Sequence, residues 1–119
     1  MIPFKERFHG HNSLRYVYKN GQVVRSRLAT LKSASNAHRK TSRFAVVVSK
    51  KVMKSAVRRN RIRRRVYEYI RTTSARLESP HDVVVIVTSS EFLTMTLSDL
   101  AAQLEQLFTQ ADLYKTTHN

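Results

Sequence analysis

Leu14, Val17 and Tyr18 recur at i, i+3 and i+4, and Asn12 or Ser13 just before them suits a helix N-cap. The spacing predicts a short helix after a polar, irregular stretch over 1–11, ended by Gly21 in the left-handed conformation. Residues 22–32 are rich in Val, Leu and Thr and read as strand, with room for a kink or tight turn. Residues 33–42 carry Ser, Asn, His, Arg and Lys and read as a loop. Residues 44–48 form a β-branched run, a candidate central strand. Ser79-Pro80 then marks a turn, and His81-Asp82 leads into a second apolar strand over 83–87.

The last element is the most regular. Leu97, Leu100, Ala101, Leu104, Leu107, Phe108 and Ala111 keep the helical repeat, and Thr96 with Asp99 three residues on resembles a capping box. Its other face is polar, so the helix is expected to lie on a sheet as ordinary core packing.

Between the two apolar strands, residues 49–71 hold ten Lys or Arg and a single acid, Glu68. Ile62, Val66 and Ile70 fall at i, i+4 and i+8, with Ala56 and Tyr69 nearby, so one stripe can face a core. Arg58, Arg61 and Arg65 form another stripe, with Arg59 and Arg63 beside it and Arg64 and Arg71 on the far side. A merely solvated helix would include acids to relieve i,i+4 repulsion. Seven arginines within positions 58–71 repel one another until a polyanion is bound. Arginine forks onto phosphate oxygens, which makes nucleic acid the expected partner.

Charge along the chain agrees. Residues 1–71 hold 20 basic and 2 acidic side chains, net +18. Residues 72–119 hold Arg76 and Lys115 against six acids, net −4, for a total of +14. An anionic membrane surface is the second candidate, disfavoured because the apolar stripe of the basic helix is narrow and needed for the core. A duplex-DNA-binding domain is also open on charge alone. The length fits one domain, 1–119, with no room for a second sizeable core.

Enzymatic chemistry finds little to use. The chain has no cysteine, so disulfides, thiol nucleophiles and Cys-containing zinc sites are excluded. Two glycines cannot build a glycine-rich phosphate loop. The five histidines form no ligand ladder. The acids are too scattered for a two-metal nuclease, so neither a catalytic nor a metal residue is expected in the protein. No apolar run approaches the roughly 20 residues of a membrane span, and no signal-peptide pattern opens the chain. A cytoplasmic protein is the expectation.

Asn60 is a poor residue for a helix interior, yet it sits inside Arg59-Asn60-Arg61. Preceded by Ser49-Lys50-Lys51 and Ala56-Val57, and followed by Ile62-Arg63-Arg64, this run resembles the signature of the bacterial ribonuclease P protein family. The likeness extends to Arg7-Phe8, to Val17-Tyr18-Lys19 with Gly21, to Asp82-Val83-Val84-Val85-Ile86, to Leu104 with Leu107-Phe108, and to Leu113-Tyr114-Lys115. It implies an α/β fold, an α+β sandwich in α-β-β-β-α-β-α order with a left-handed β-α-β crossover. It also implies a protein subunit without catalytic groups, partnered with a catalytic RNA that uses Mg²⁺ to remove the 5′ leader from precursor tRNA. No obligate protein partner or cofactor of the protein itself is implied.

Carried residue by residue, the resemblance puts Lys50, Lys51, Lys54, Arg58, Arg59, Asn60, Arg61, Arg63, Arg64 and Arg65 on RNA. It puts Leu14, Tyr18, Lys32, Phe44, Val46, Val48 and Tyr114 in a cleft for the single-stranded leader. Plain core packing is an equal reading for Phe44 and Val46. The main alternative is a ribosomal or other structural RNA-binding protein with no processing role.

Overall fold

Ser26 divides the first apolar run into two strands. Its N–H and its hydroxyl donate to the Ala29 carbonyl at 2.9 and 3.1 Å, and its Oγ accepts from the N–H groups of Leu28 and Ala29. The turn joins β1 (Gln22–Arg25) to β2 (Ala29–Ser35), which pair antiparallel with Val24 opposite Leu31. The anticipated kink is thus a hairpin, and β2 runs into what reads from sequence as a loop. The computed structural model describes residues 16–19, 21–35, 41–77 and 80–114. The sequence expectations for residues 1–15, including Leu14, and for Lys115 lie outside these.

After helical residues 16–19 the order is β1, β2, β3 (Arg43–Val48), α1 (Ala56–Thr73), β4 (His81–Val87) and α2 (Leu97–Gln110). This is the expected α-β-β-β-α-β-α order. The sheet is ordered β1-β2-β4-β3; β4 runs antiparallel to β2 and parallel to β3, so α1 is the crossover between parallel neighbours.

Both helices cover one face of the sheet. Leu31, Phe44, Val46, Val48, Val83, Val85 and Val87 point into a core shared with Ile62, Val66, Ile70, Leu100, Leu104, Leu107 and Phe108. The predicted α1 stripe Ile62, Val66 and Ile70 is fully buried, each side chain contributing about 1.5–3 kcal/mol. Ala56, expected nearby, is exposed. Val17 is buried on the opposite face against Ala45 and Val84, with Ala34, Val47 and Ile86 around it.

Three boundaries depart from the sequence reading. First, α1 begins at Ala56, because the Ser49 carbonyl accepts from Val52 and Met53 N–H in a turn, and the Ser55 side chain caps Arg58 N–H at 3.2 Å. Second, Gly21 is not left-handed; a Cβ there would lie 2.5 Å from the Val17 carbonyl oxygen and 2.8 Å from that of Ser33, an approach only glycine tolerates. Third, α2 is capped by Thr96, whose side chain accepts from Asp99 N–H, as predicted, but Leu97 is 66% exposed.

Past its C-cap Ala111, α2 ends in Asp112 at φ 59°, with Leu113 N–H on the Phe108 carbonyl and Asp112 N–H on that of Thr109. These two bonds satisfy the last carbonyls in the manner of a Schellman motif.

Candidate nucleic-acid interface

The basic segment is fixed at both ends of its first turns. Arg59 reaches back and donates to the carbonyls of Met53 at 3.0 Å and Lys54 at 2.7 Å, tying the lysine turn to the helix. Farther along, Arg65 donates to the Leu93 carbonyl at 2.8 Å and to the Met95 carbonyl. That contact fastens α1 to the segment after a short 3-10 helix, Ser90–Leu93, whose Phe92 is fully buried. Both arginines belong to the predicted RNA-binding set; Arg65 commits both terminal nitrogens to backbone carbonyls, whereas Arg59 commits only Nη1.

The remaining cations point outward. Lys50, Lys51, Lys54, Arg58, Arg61 and Arg64 are exposed and Arg63 is half-buried. None of these side chains makes a hydrogen bond or ion pair to another described residue. Asn60 is exposed among them. The first turn of α1 holds no acid, so the positive end of the helix dipole adds to these charges. Only Glu68, hydrogen-bonded to Arg71 at 3.0 Å, interrupts the surface; that hydrogen bond first, and Arg71's charge second, hold its carboxyl below the usual range.

On the opposite sheet face, register aligns three cross-strand rows. One is Ala34, Asp82 and Arg43; the next is Val23, Lys32, Val84 and Ala45; the third is Arg25, Thr30, Ile86 and Val47. Arg43 grips Asp82 at 3.0 and 2.8 Å in a bidentate, largely buried pair. Helical residues 16–19 sit over the middle row, with Lys32 Nζ 4.6 Å from the centroid of the Tyr18 ring. Tyr18 is 42% exposed. The third row carries a cation, a hydroxyl and two half-buried aliphatic side chains.

The expected cleft set divides here. Tyr18 and Lys32 meet, as anticipated. Val48 belongs instead to the helix-covered core, as do Phe44 and Val46, for which core packing is the equal reading of the sequence, and Val46 N–H donates to the Tyr67 hydroxyl at 3.3 Å. Strand alternation gives the reason: pairing with Val83, Val85 and Val87 turns 44, 46 and 48 toward the helices and leaves Ala45 and Val47 on the Tyr18 face.

Tyr114 is also on the helix side. It stacks on Phe108, bridges Leu77, and shares a 2.5 Å hydrogen bond with the Tyr69 hydroxyl. Tyr69 donates to Glu105 at 2.9 Å, and Arg76 binds both Glu105 oxygens while lying 4.0 Å over the Tyr114 ring. Burial, then the Tyr114 hydrogen bond, pushes the Tyr69 hydroxyl far above its ordinary range. The sequence reading missed Arg25, Thr30, Val47 and Ile86. In β3 the available signal was Arg43, the polar residue of the strand, which shares parity with Ala45 and Val47.

The fold and site define a small mixed sheet with a basic crossover helix whose cations face solvent. The family model described as Ribonuclease P matches residues 2–112, and the chain belongs to that family. A relative from Buchnera aphidicola named ribonuclease P protein component is 35% identical, over 91% of this chain and 96% of its own. One of the same name from Prochlorococcus marinus is 28% identical, over 96% and 98%. The RNase P protein from Thermotoga maritima superposes with a TM-score of 0.78 at 25% identity, over 88% of this chain and 96% of its own. The Staphylococcus aureus RNase P protein shares the fold, with a TM-score of 0.81 over 92% and 98% at 24% identity.

Proposed function

We propose that this chain, as a ribonuclease P protein component, docks the outward face of α1 and its lysine turn on a catalytic RNA and helps that RNA remove the 5′ leader of precursor tRNA. The observation that carries the reading is the set Lys50, Lys51, Lys54, Arg58, Arg61 and Arg64. These are six exposed cations with no partner among the described residues, on one helix and the turn bound to it. Such a surface neutralises phosphates and supplies no nucleophile, general base or metal ligand. In this reading the RNA performs the hydrolysis, with Mg²⁺ as its ion.

The leader runs over the opposite sheet face. Single strands bind where apolar or aromatic surface lies under bases and cations lie beside phosphates. Tyr18, Val47 and Ile86 offer the first, and Lys32 and Arg25 the second. Phe44, Val46, Val48 and Tyr114 take no part, being core residues on the other side.

The test is reconstitution with a ribonuclease P RNA at low Mg²⁺, following cleavage of precursor tRNA. Stimulated release of the leader is expected; cleavage no faster than with RNA alone would sink the processing role.

A further inference from the structure

An apolar groove lies between α1 and α2, about 230 Å³ in volume. Its floor is Tyr69, Leu100 and Ala101, its rim is Glu68 and Thr72, and Leu97 forms a lip. Arg65, held on Leu93 and Met95, closes it. Leu97 keeps the helical repeat of α2 yet stays 66% exposed, so its side chain serves the groove rather than the core.

We infer that this groove receives one unpaired nucleobase of the RNA that α1 binds, an inference that rests on the docking role proposed above. Arg61 and Arg64 stand one helical turn before Arg65 and Glu68, about 5–6 Å between Cβ atoms. A strand whose phosphates lie on these two arginines is therefore within about one nucleotide of the mouth. An apolar slot beside cations is the arrangement that takes unstacked bases. Charge selects this occupant over a second copy of the chain, because two +14 molecules repel.

The test uses the whole chain with a ribonuclease P RNA. Leu97→Ser removes the lip, and Ala101→Phe fills the slot. Each is expected to weaken RNA binding roughly tenfold with no change in salt dependence. Leu97→Ser, at an exposed position, should also keep the thermal midpoint, and it decides the matter if Ala101→Phe is unstable. The chain has no cysteine, so Leu97→Cys carrying an azidophenacyl photo-crosslinker marks a single site. Crosslinks to unpaired nucleotides, suppressed by Ala101→Phe, support the inference. Unchanged affinity in folded Leu97→Ser overturns it, as do crosslinks only to paired nucleotides, to another protein copy, or to nothing. If the unaltered chain itself fails to bind the RNA in a salt-dependent way, the docking role falls, and the groove reading with it. Intact docking with an indifferent groove removes only the latter.

Discussion

The Arg65 guanidinium donates to the Leu93 carbonyl at 2.8 Å, across 28 residues of chain. A cation on the most basic helix of the molecule is thus a fastener between α1 and the segment entering α2. Arg65→Ala leaves the Leu93 and Met95 carbonyls without their charged donor and should cost about 1–3 kcal/mol. Chemical denaturation measures this, and a loss under 0.5 kcal/mol (roughly the size of ordinary surface substitutions) would contradict it.

The Arg43–Asp82 pair carries a different expectation. With side chains only 15% and 7% exposed, the pair is shielded from water. Asp82→Ala takes the bidentate carboxylate from a shielded guanidinium and should destabilise by about 3–5 kcal/mol. The double variant Arg43→Met with Asp82→Leu should recover most of that loss in the same unfolding experiment. A double variant no more stable than the single one would show that the charge is not the cause.

Alkaline pH should unfold the protein through its tyrosines. Burial raises both the Tyr69 and the Tyr114 hydroxyl above the ordinary value. Above about pH 10 the unfolded chain releases these protons and the folded chain keeps them. Unfolding is then favoured, and stability falls as pH rises through that region. Tyr69→Phe should flatten this alkaline decline. Thermal midpoints between pH 8 and 11 measure it, and an unchanged slope in the variant would refute the assignment.

At Gly21, an added methyl meets two backbone carbonyl oxygens, neither of which can swing aside as a flexible side chain would. Gly21→Ala should therefore cost more than about 1 kcal/mol and displace residues 16–19 from the sheet. Weakened leader binding should accompany the fall in midpoint. Full stability with normal leader affinity would show that the approach is looser than it looks.

The sequence carried most of the architecture and only part of the site. Ile62, Val66 and Ile70 were legible because a 3.6-residue period with cations between leaves one possible inner face. Thr96 was legible because a capping residue acts through its own next turn. In β3, by contrast, five successive apolar residues give alternation nothing to grip, so the sequence leaves Phe44 and Val46 open between core and cleft and puts Val48 in the cleft; pairing with β4, 39 residues away, sets their parity toward the core. The resemblance puts Arg59 and Arg65 among the RNA contacts, and a sequence shows a charge without showing which carbonyls it also touches. Their carbonyl partners follow from how the loops fold back. Phe92 gave no periodic signal, since it lies in a 3-10 turn of four residues.

The exposed arginines of α1 are the centre of the account, and the salt dependence of binding to a ribonuclease P RNA tests them most directly. With about six phosphates neutralised, log K should fall against log salt with a slope of roughly −4 to −5. Changing Arg61 and Arg64 together to Ala should make the slope shallower by about 2 at an unchanged thermal midpoint, whereas Arg65→Ala should leave the slope as it was. A wild-type slope near zero, or a double variant with the wild-type slope, would contradict the claim that these side chains hold the RNA.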